Sequence, residues 1–372
     1  MGEIRDRSAE PEGREDHRFG RCAPLSIGVE EELLLTDEHQ QLRPDSERVL
    51  AALADRIADR VSPELFAEQI ELKTGVCDDA GQVERELKEV RAGVAAAGGR
   101  LLGVGLHPRE GFGEAPIVRK PRYMEVHQEL RGLLWTPPCG LHVHVAMPDP
   151  ETAVRVGNGL RHHIPVLQAL TANSPFWAGV DSGLASARTA VVRAYPRFEM
   201  PRAFRDYEHF LQIADEVIAA AGVDDYTYIW WDLRPHPRLG TVELRALDTQ
   251  TAVEGNVAIA ALIQALAARE MEQPRSFHLS REALEESYFQ ASRYGLEAQL
   301  ILEDGSTQPA ADVARRTVED ARPYARQLGG DDALTEIDRI VREGNGADEQ
   351  RRVMAALGMD GLLEHLAERT AG

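Results

Sequence analysis

Five short stretches of this chain alternate between aliphatic and ionisable residues, and that alternation constrains the fold more than any other feature. Side chains two apart on a β-strand share a face. In Gly28-Val29-Glu30-Glu31-Glu32-Leu33, Glu30 and Glu32 fall together. In Gln69-Ile70-Glu71-Leu72-Lys73, Glu71 lies between Gln69 and Lys73 on one side. In Gly140-Leu141-His142-Val143-His144-Val145, both imidazoles point one way, and Leu141, Val143, Val145 and Met147 the other. Thr241-Val242-Glu243-Leu244-Arg245-Ala246 sets Glu243 and Arg245 against Val242, Leu244 and Ala246, and Trp231-Asp232-Leu233-Arg234 pairs Asp232 with Arg234. A solvated strand face favours Thr, Ser and Lys; these carry Glu, His and Arg. One sheet with helices on one side and a carboxylate–imidazole–guanidinium surface on the other accounts for all five.

Taken singly, each has an ordinary explanation. Two glutamates on a strand suit a solvated face, the histidines could be satisfied by hydrogen bonds, and Glu243–Arg245 could be a salt bridge. Together they suit a metal site, because crowded carboxylates repel unless cations neutralise them. Mg²⁺ prefers oxygen ligands and couples to nucleotide phosphates, and a histidine ligand admits Mn²⁺. Added arginines complete the parts for phosphoryl transfer, where a catalyst mainly positions and neutralises charge. Arg188, Arg234 and Arg245 are the arginine candidates, with Arg122 and Arg202 weaker.

Composition narrows the options. The chain has 372 residues, 42 basic and 62 acidic, for a net charge of −20. That opposes non-specific nucleic-acid binding, and no apolar run is long enough for a membrane span. All but Lys73, Lys88 and Lys120 of the basic residues are arginines. None of these lysines follows G-x-x-x-x-G, so a P-loop is absent. Cys22, Cys77 and Cys139 are too few and too scattered for a disulfide framework or zinc–cysteine cluster, and a reducing cytoplasm is the expected setting.

Residues 1–22 are polar and charged and read as a disordered extension, leaving 23–372 as a single domain. Strands are predicted at Leu25–Leu35, Phe66–Val76, Leu101–Leu106, Cys139–Met147, Tyr226–Leu233 and Thr241–Leu247, the last two as a hairpin, with a further short one at Leu300–Leu302. Helices are predicted at Asp45–Arg60, Gln82–Ala97, Glu151–Ala172 and Ala203–Ala221. Residues 107–138 read as a loop with a helical turn near Met124–Leu133, and 173–201 as an irregular segment. Beyond Thr251 the chain is almost all helix. The sheet therefore belongs mostly to 24–250, and the chemistry with it.

Five motifs in order, Ser26–Leu33, Cys139–Val145, Asn173-Ser174-Pro175-Phe176-Trp177, Trp231-Asp232-Leu233-Arg234-Pro235 and Gly240–Arg245, resemble the bacterial ATP-dependent carboxylate-amine ligase family, the type 2 glutamate–cysteine ligases. The resemblance runs from about Leu25 to the end. It implies an α+β, glutamine synthetase-like catalytic fold: a largely antiparallel curved sheet holding ATP and metal ions, helices on its outer face and a helical C-terminal region. It implies Glu30, Glu32, Glu71, His142 and Glu243 as metal ligands. His144 is a further candidate, at a position where more distant members carry a different polar residue. Arg188, Arg234 and Arg245 become the catalytic arginines, with Glu30, Glu243 and Arg245 near the nucleotide. Ala146 stands where a glycine is expected. The implied reaction transfers the ATP γ-phosphoryl group to a glutamate side-chain carboxylate, and cysteine's amine then attacks the acyl phosphate. ATP, Mg²⁺ (or Mn²⁺) and small amino acids are the implied ligands, with no nucleic-acid or membrane partner and a homodimer as the implied assembly. Three other readings stay open: a zinc hydrolase built on His142-x-His144, which lacks an H-E-x-x-H to support it, a kinase-like transferase using the same surface, and a non-catalytic nucleotide-binding relative.

Overall fold

The computed structural model describes residues 17–110, 116–275 and 279–372. Its centre is a seven-stranded sheet formed by β1 (Ile27–Leu35), β2 (Val61–Pro63), β3 (Gln69–Lys73), β4 (Leu101–Leu102), β5 (Gly140–Ala146), and, after the separate hairpin of β6 (Phe176–Trp177) and β7 (Val180–Asp181), β8 (Leu233–His236) and β9 (Thr241–Asp248). The order is β2-β3-β1-β5-β9-β8, with β4 beside β1, and every pairing is antiparallel. A second pair, β10 (Gln299–Ile301) and β11 (Thr307–Pro309), stands apart.

Helices occupy the intervals. They are α1 (Ser46–Ala51), α2 (Asp55–Ala58), α3 (Ala80–Ala96), α4 (Pro121–Leu130), α5 (Pro150–Leu160), α6 (Ile164–Thr171), α7 (Ala187–Arg193) and α8 (Tyr207–Ala221). After the sheet come α9 (Val253–Glu272), α10 (Arg281–Tyr294), α11 (Ala310–Gln327), α12 (Leu334–Glu343) and α13 (Gly346–Ala371). Helix starts follow local chemistry: the Asp79 and Asp149 side chains accept N–H bonds from Gln82 and Thr152, and Pro150 opens α5. Helix α9 is buried almost all round, which explains why its apolar stripe is broad. It packs on α3, α5, α11 and α12, and against the aliphatic face of β5. Ile27, Val29, Leu141, Val143, Val145, Val242 and Leu244 complete that core. The other sheet face is left for the ionisable residues.

Several expectations change; the helix expected over Asp45–Arg60 is broken into α1 and α2, and the strand expected over Leu101–Leu106 shortens to β4. Residues 17–22, read as part of a disordered extension, are folded: Phe19 is buried in the main core, and the backbone of Arg18 and Gly20 bonds to Pro237 and Met147. The remainder of that extension, 1–16, lies outside the described residues. The predicted strand Tyr226–Leu233 is instead a 3-10 turn at Tyr226–Tyr228 followed by a strand displaced to Leu233–His236, because Asp225 caps the turn with its side chain. The segment 173–201 is partly regular, with β6, β7 and α7, the last capped by Ser186.

Of the three consecutive glutamates, only Glu31 faces the helices. Burial of that charge is tolerated because Arg91 of α3 meets it bidentately, Nε and Nη2 to the two carboxylate oxygens at 2.8 and 2.7 Å. Asn256 of α9 donates to it at 2.6 Å, and Arg91 also donates to the Thr251 and Thr370 carbonyls. Removing one partner strands the other charge in the core. E31Q is expected to lower stability by about 3–5 kcal/mol, read by urea unfolding, without altering the kinetics of the folded fraction; a loss under 1 kcal/mol would refute the pairing.

Candidate active site

Register brings the candidates together. On the open face, Glu30 stands opposite Lys73 of β3 and opposite His142 of β5, and Glu32 stands opposite Glu71. His144 is opposite Glu243 of β9, and Glu243 is opposite Arg234 of β8. All nine candidates, Glu30, Glu32, Glu71, His142, His144, Glu243, Arg188, Arg234 and Arg245, line one cavity of about 500 Å³. Arg122 also reaches this cavity; Arg202 does not line it. Asp232, which the alternation placed beside Arg234, is instead buried against Arg193 at 2.6 Å.

Two overlapping groups have donor atoms close enough to share an ion: Glu30, His142 and Glu243, and Glu32, Glu71 and His142, each set within 4.8 Å of one another. His142 Nδ1 lies 3.3 Å from Glu30, and its Nε2 is 3.9 Å from Glu32. His144 Nε2 lies 3.8 Å from Glu30 and 3.9 Å from Glu243. Among the described residues that nitrogen is buried without a hydrogen-bond partner, while Nδ1 is 3.0 Å from the Thr241 hydroxyl. Glu32 accepts the Gly140 N–H at 2.6 Å. Lys73 Nζ sits 2.6 Å from Glu71.

Charge is unevenly balanced across this surface. Burial, reinforced by repulsion from Glu71 and Glu32, pushes Glu64 well above the usual carboxylate range. Burial raises Glu71 too, with Glu30 adding to it, and burial raises Glu32 despite the pull of Arg188. At the other end burial is outweighed. Arg234 and Arg245 hold Glu243 well below its ordinary value, and His142 and His144 do the same for Glu30. Both Glu243 oxygens are taken by guanidinium groups, Arg234 Nε at 2.7 Å and Arg245 Nη1. The Glu32–Glu64–Glu71 end thus holds acids in excess of cations, with an oxygen-rich donor set that suits Mg²⁺ or Mn²⁺.

The arginines are placed by the fold. Arg234 is braced by the Ile229 carbonyl at 2.6 Å. A bulge in β9, where the register to β5 shifts between Leu141 and Val143, brings Asp248 opposite Gly140. Asp248 is tied to the Ser174 and Ser186 hydroxyls at 2.7 and 2.8 Å and to the Asn173 N–H. Arg188, from α7, donates to the Ala246 carbonyl within the bulge at 3.1 Å and lies 3.7 Å from Asp248. Alternation alone could not find Asp248, because the bulge resets the face. Glu64 carried no signal of its own, standing just after the three residues of β2. The aromatic rim of Tyr123, Tyr195, Phe198 and Trp230 is contributed by loops and α4, where no alternation marks which side chains face a cavity.

A second cavity of about 530 Å³ adjoins the first, sharing Glu30, Lys73, His144 and Leu239 with it. Its walls include Val29, Val76 and Ala146.

The model for Glutamate-cysteine ligase family 2 matches residues 26–369. The chain is 40% identical over 339 residues to "Putative glutamate–cysteine ligase 2-1" of Rubrobacter xylanophilus, covering 88% of this chain and 90% of that protein. It is 35% identical to the glutamate–cysteine ligase of Haloquadratum walsbyi, covering 92% and 95%. The crystal structure of glutamate–cysteine ligase from Francisella tularensis in complex with AMP superposes with a TM-score of 0.70 at 13% identity, over 93% of this chain and 88% of that one. Scaffold and matches together define an ATP-dependent ligase. The chain belongs to glutamate–cysteine ligase family 2.

Gly140 leaves the room that Arg188 fills. A Cβ there would come within 2.4 Å of Arg188 Nη2 and 3.2 Å of His142 Nε2. G140A is therefore expected to displace the guanidinium and lower ATP-dependent turnover at least tenfold, about 1.4 kcal/mol of activation, measured as phosphate release; wild-type turnover would show that Arg188 has no part in the site.

Proposed function

We propose that this chain activates the side-chain carboxylate of glutamate, or of a close analogue, as an acyl phosphate and joins it to the amine of cysteine or a similar amino acid, releasing ADP and phosphate. One observation carries this reading: five acidic or imidazole side chains from four strands, Glu30, Glu32, Glu71, His142 and Glu243, converge on one cavity with three arginines. In this reading the sheet is a glutamine synthetase-like funnel, and 23–372 works as one catalytic unit. Cytoplasmic location rests on the scarce, scattered cysteines, and a homodimer on the family resemblance alone. Among the described residues, no helix is long and apolar enough to cross a membrane.

A carboxylate does not condense with an amine in neutral water, because oxide is a poor leaving group; phosphorylation converts that oxygen into phosphate. The obstacle is the meeting of two anions. Arg188, Arg234 and Arg245 supply fixed positive charge on one side of the cavity, in a buried setting where it is screened little. Glu30, Glu32, Glu71, His142 and Glu243, with Glu64 beside them, would hold divalent cations. Bound Mg²⁺ or Mn²⁺ would neutralise the phosphate oxygens as the γ-phosphoryl group moves. His144, with a buried nitrogen lacking a partner, fits as a further ligand.

The two cavities give the reactants separate approaches. In-line transfer needs the attacking carboxylate and departing ADP on opposite sides of the γ-phosphorus. The first cavity, with its arginines and aromatic rim, suits the amino acids. The second, with its apolar walls, suits the nucleotide base. They meet at Glu30 and His144. No residue has to act as a covalent nucleophile: Cys139 is fully buried, with its thiol pushed well up by that burial, and Cys77 is held at about 11 by the same effect.

E71Q and E243Q are each expected to cut ATP- and Mg²⁺-dependent ligation by more than a hundredfold, with thermal unfolding shifted by only a few degrees. A screen of phosphate release against amino acids, singly and in pairs, identifies the acid and the amine. Full activity in both purified variants would remove the basis of this reading, and turnover of a single substrate without ATP would replace ligation with hydrolysis.

A further inference from the structure

The segment 17–22 precedes the span matched by the family model, which begins at residue 26. It is nevertheless fixed against the sheet at two points. The Arg18 N–H donates to the Pro237 carbonyl in the β8–β9 turn, and the Gly20 N–H to the Met147 carbonyl just past β5, both at 2.9 Å. Between them Phe19 plugs into the core, edge-on to Tyr207 at 5.9 Å. Passage is close: a Cβ at Gly240, itself at φ +72°, would lie 2.3 Å from the Arg18 carbonyl oxygen. Only glycine admits both that backbone angle and that contact.

The anchored backbone sets Arg18 and Arg21 on the wall of the second cavity, with Cys22 beside them. Both arginines are exposed, and among the described residues neither makes an ion pair. In a chain of net charge −20, two cations without carboxylate partners on one cavity wall form a local positive field. Guanidinium groups match phosphate oxygens in geometry as well as charge. The same cavity reaches Glu30 and His144, so an anion lying along it ends at the catalytic surface.

We propose that residues 17–22 are a fixed strap over the nucleotide cavity, with Arg18 and Arg21 binding the anionic part of the nucleotide, so that nucleotide affinity in this chain depends on residues ahead of the span that the family model matches. This rests on the ligase reading above and on the nucleotide occupying the second cavity.

Two measurements on the full chain test it. In R18A/R21A the KM for MgATP should rise about tenfold or more, with kcat at saturating ATP and the amino-acid KM unchanged, and R18K/R21K should recover most of the loss. Cys22 serves as the reporter. It is partly exposed while Cys77 and Cys139 are buried, so iodoacetamide should alkylate it first. A non-hydrolysable MgATP analogue should slow that alkylation in the wild type, and R18A/R21A should need about tenfold more analogue for the same protection. An unchanged nucleotide KM in the double variant, a fall in kcat with the rise in KM, or unprotected Cys22 at an analogue concentration shown by calorimetry to saturate the protein would each overturn the strap. A wild type that binds no analogue in calorimetry would instead overturn the ligase reading, and the strap with it.

Discussion

The structure depends on antiparallel register along β1. That strand is paired on both sides, and each of its open-face glutamates therefore acquires two fixed neighbours: Lys73 and His142 for Glu30, Glu71 and the Gly140 N–H for Glu32. A slip of one residue would turn Glu30 and Glu32 into the helices and bring Glu31 to the surface. The slip is prevented from behind. Val29 and Ile27 lie in the core beneath α9, and Glu31 is paired with Arg91 on that side.

Directly opposed like charges such as Glu32 and Glu71 destabilise a sheet. Here the fold tolerates them because the aliphatic faces of the same strands are fully buried. Local rules are broken at the site, and packing elsewhere compensates. The cluster is graded rather than uniform. Glu243 and Glu30 are held ionised by arginines and histidines, whereas burial raises Glu32, Glu64 and Glu71, with repulsion from Glu71 and Glu32 adding to it at Glu64. Such a gradient gives the surface one end prepared for anions and one prepared for cations, which is what a phosphoryl donor with its counter-ions presents.

Supporting residues outnumber those in the cavity. Asp248 carries no substrate-facing role, yet it joins Asn173, Ser174 and Ser186 to the strand that holds Glu243, and Arg188 leans on the same bulge. This explains why the segment 173–201 is not a free loop: its start is tied to the end of β9, and α7 delivers Arg188 over the sheet. Among the described residues, the C-terminal helices contribute no side chain to the cavity, but α11 and α12 cover α9, and Gln350 of α13 bonds back to Asn173. A helical region without site chemistry still fixes the site's geometry.

The sequence by itself determined the strand faces. A period of two, read through Glu30 and Glu32, His142 and His144, Glu243 and Arg245, names most of the acids and imidazoles in the cavity wall, because pleat geometry is local and needs no tertiary information. It also determined that Glu31 would oppose its neighbours, and that the chemistry would lie ahead of residue 251. Tertiary structure decided the rest. Which strands lie side by side depends on long-range pairing. The β9 bulge reverses alternation for Asp248. The offset of β8 separates Asp232 from Arg234. Glu64 gains its place only when β2 docks beside β3, and the short polar run at 17–22 becomes ordered only because Phe19 finds a core to enter. Each of these turns on contacts between residues distant in sequence, to which a pattern of near neighbours is blind.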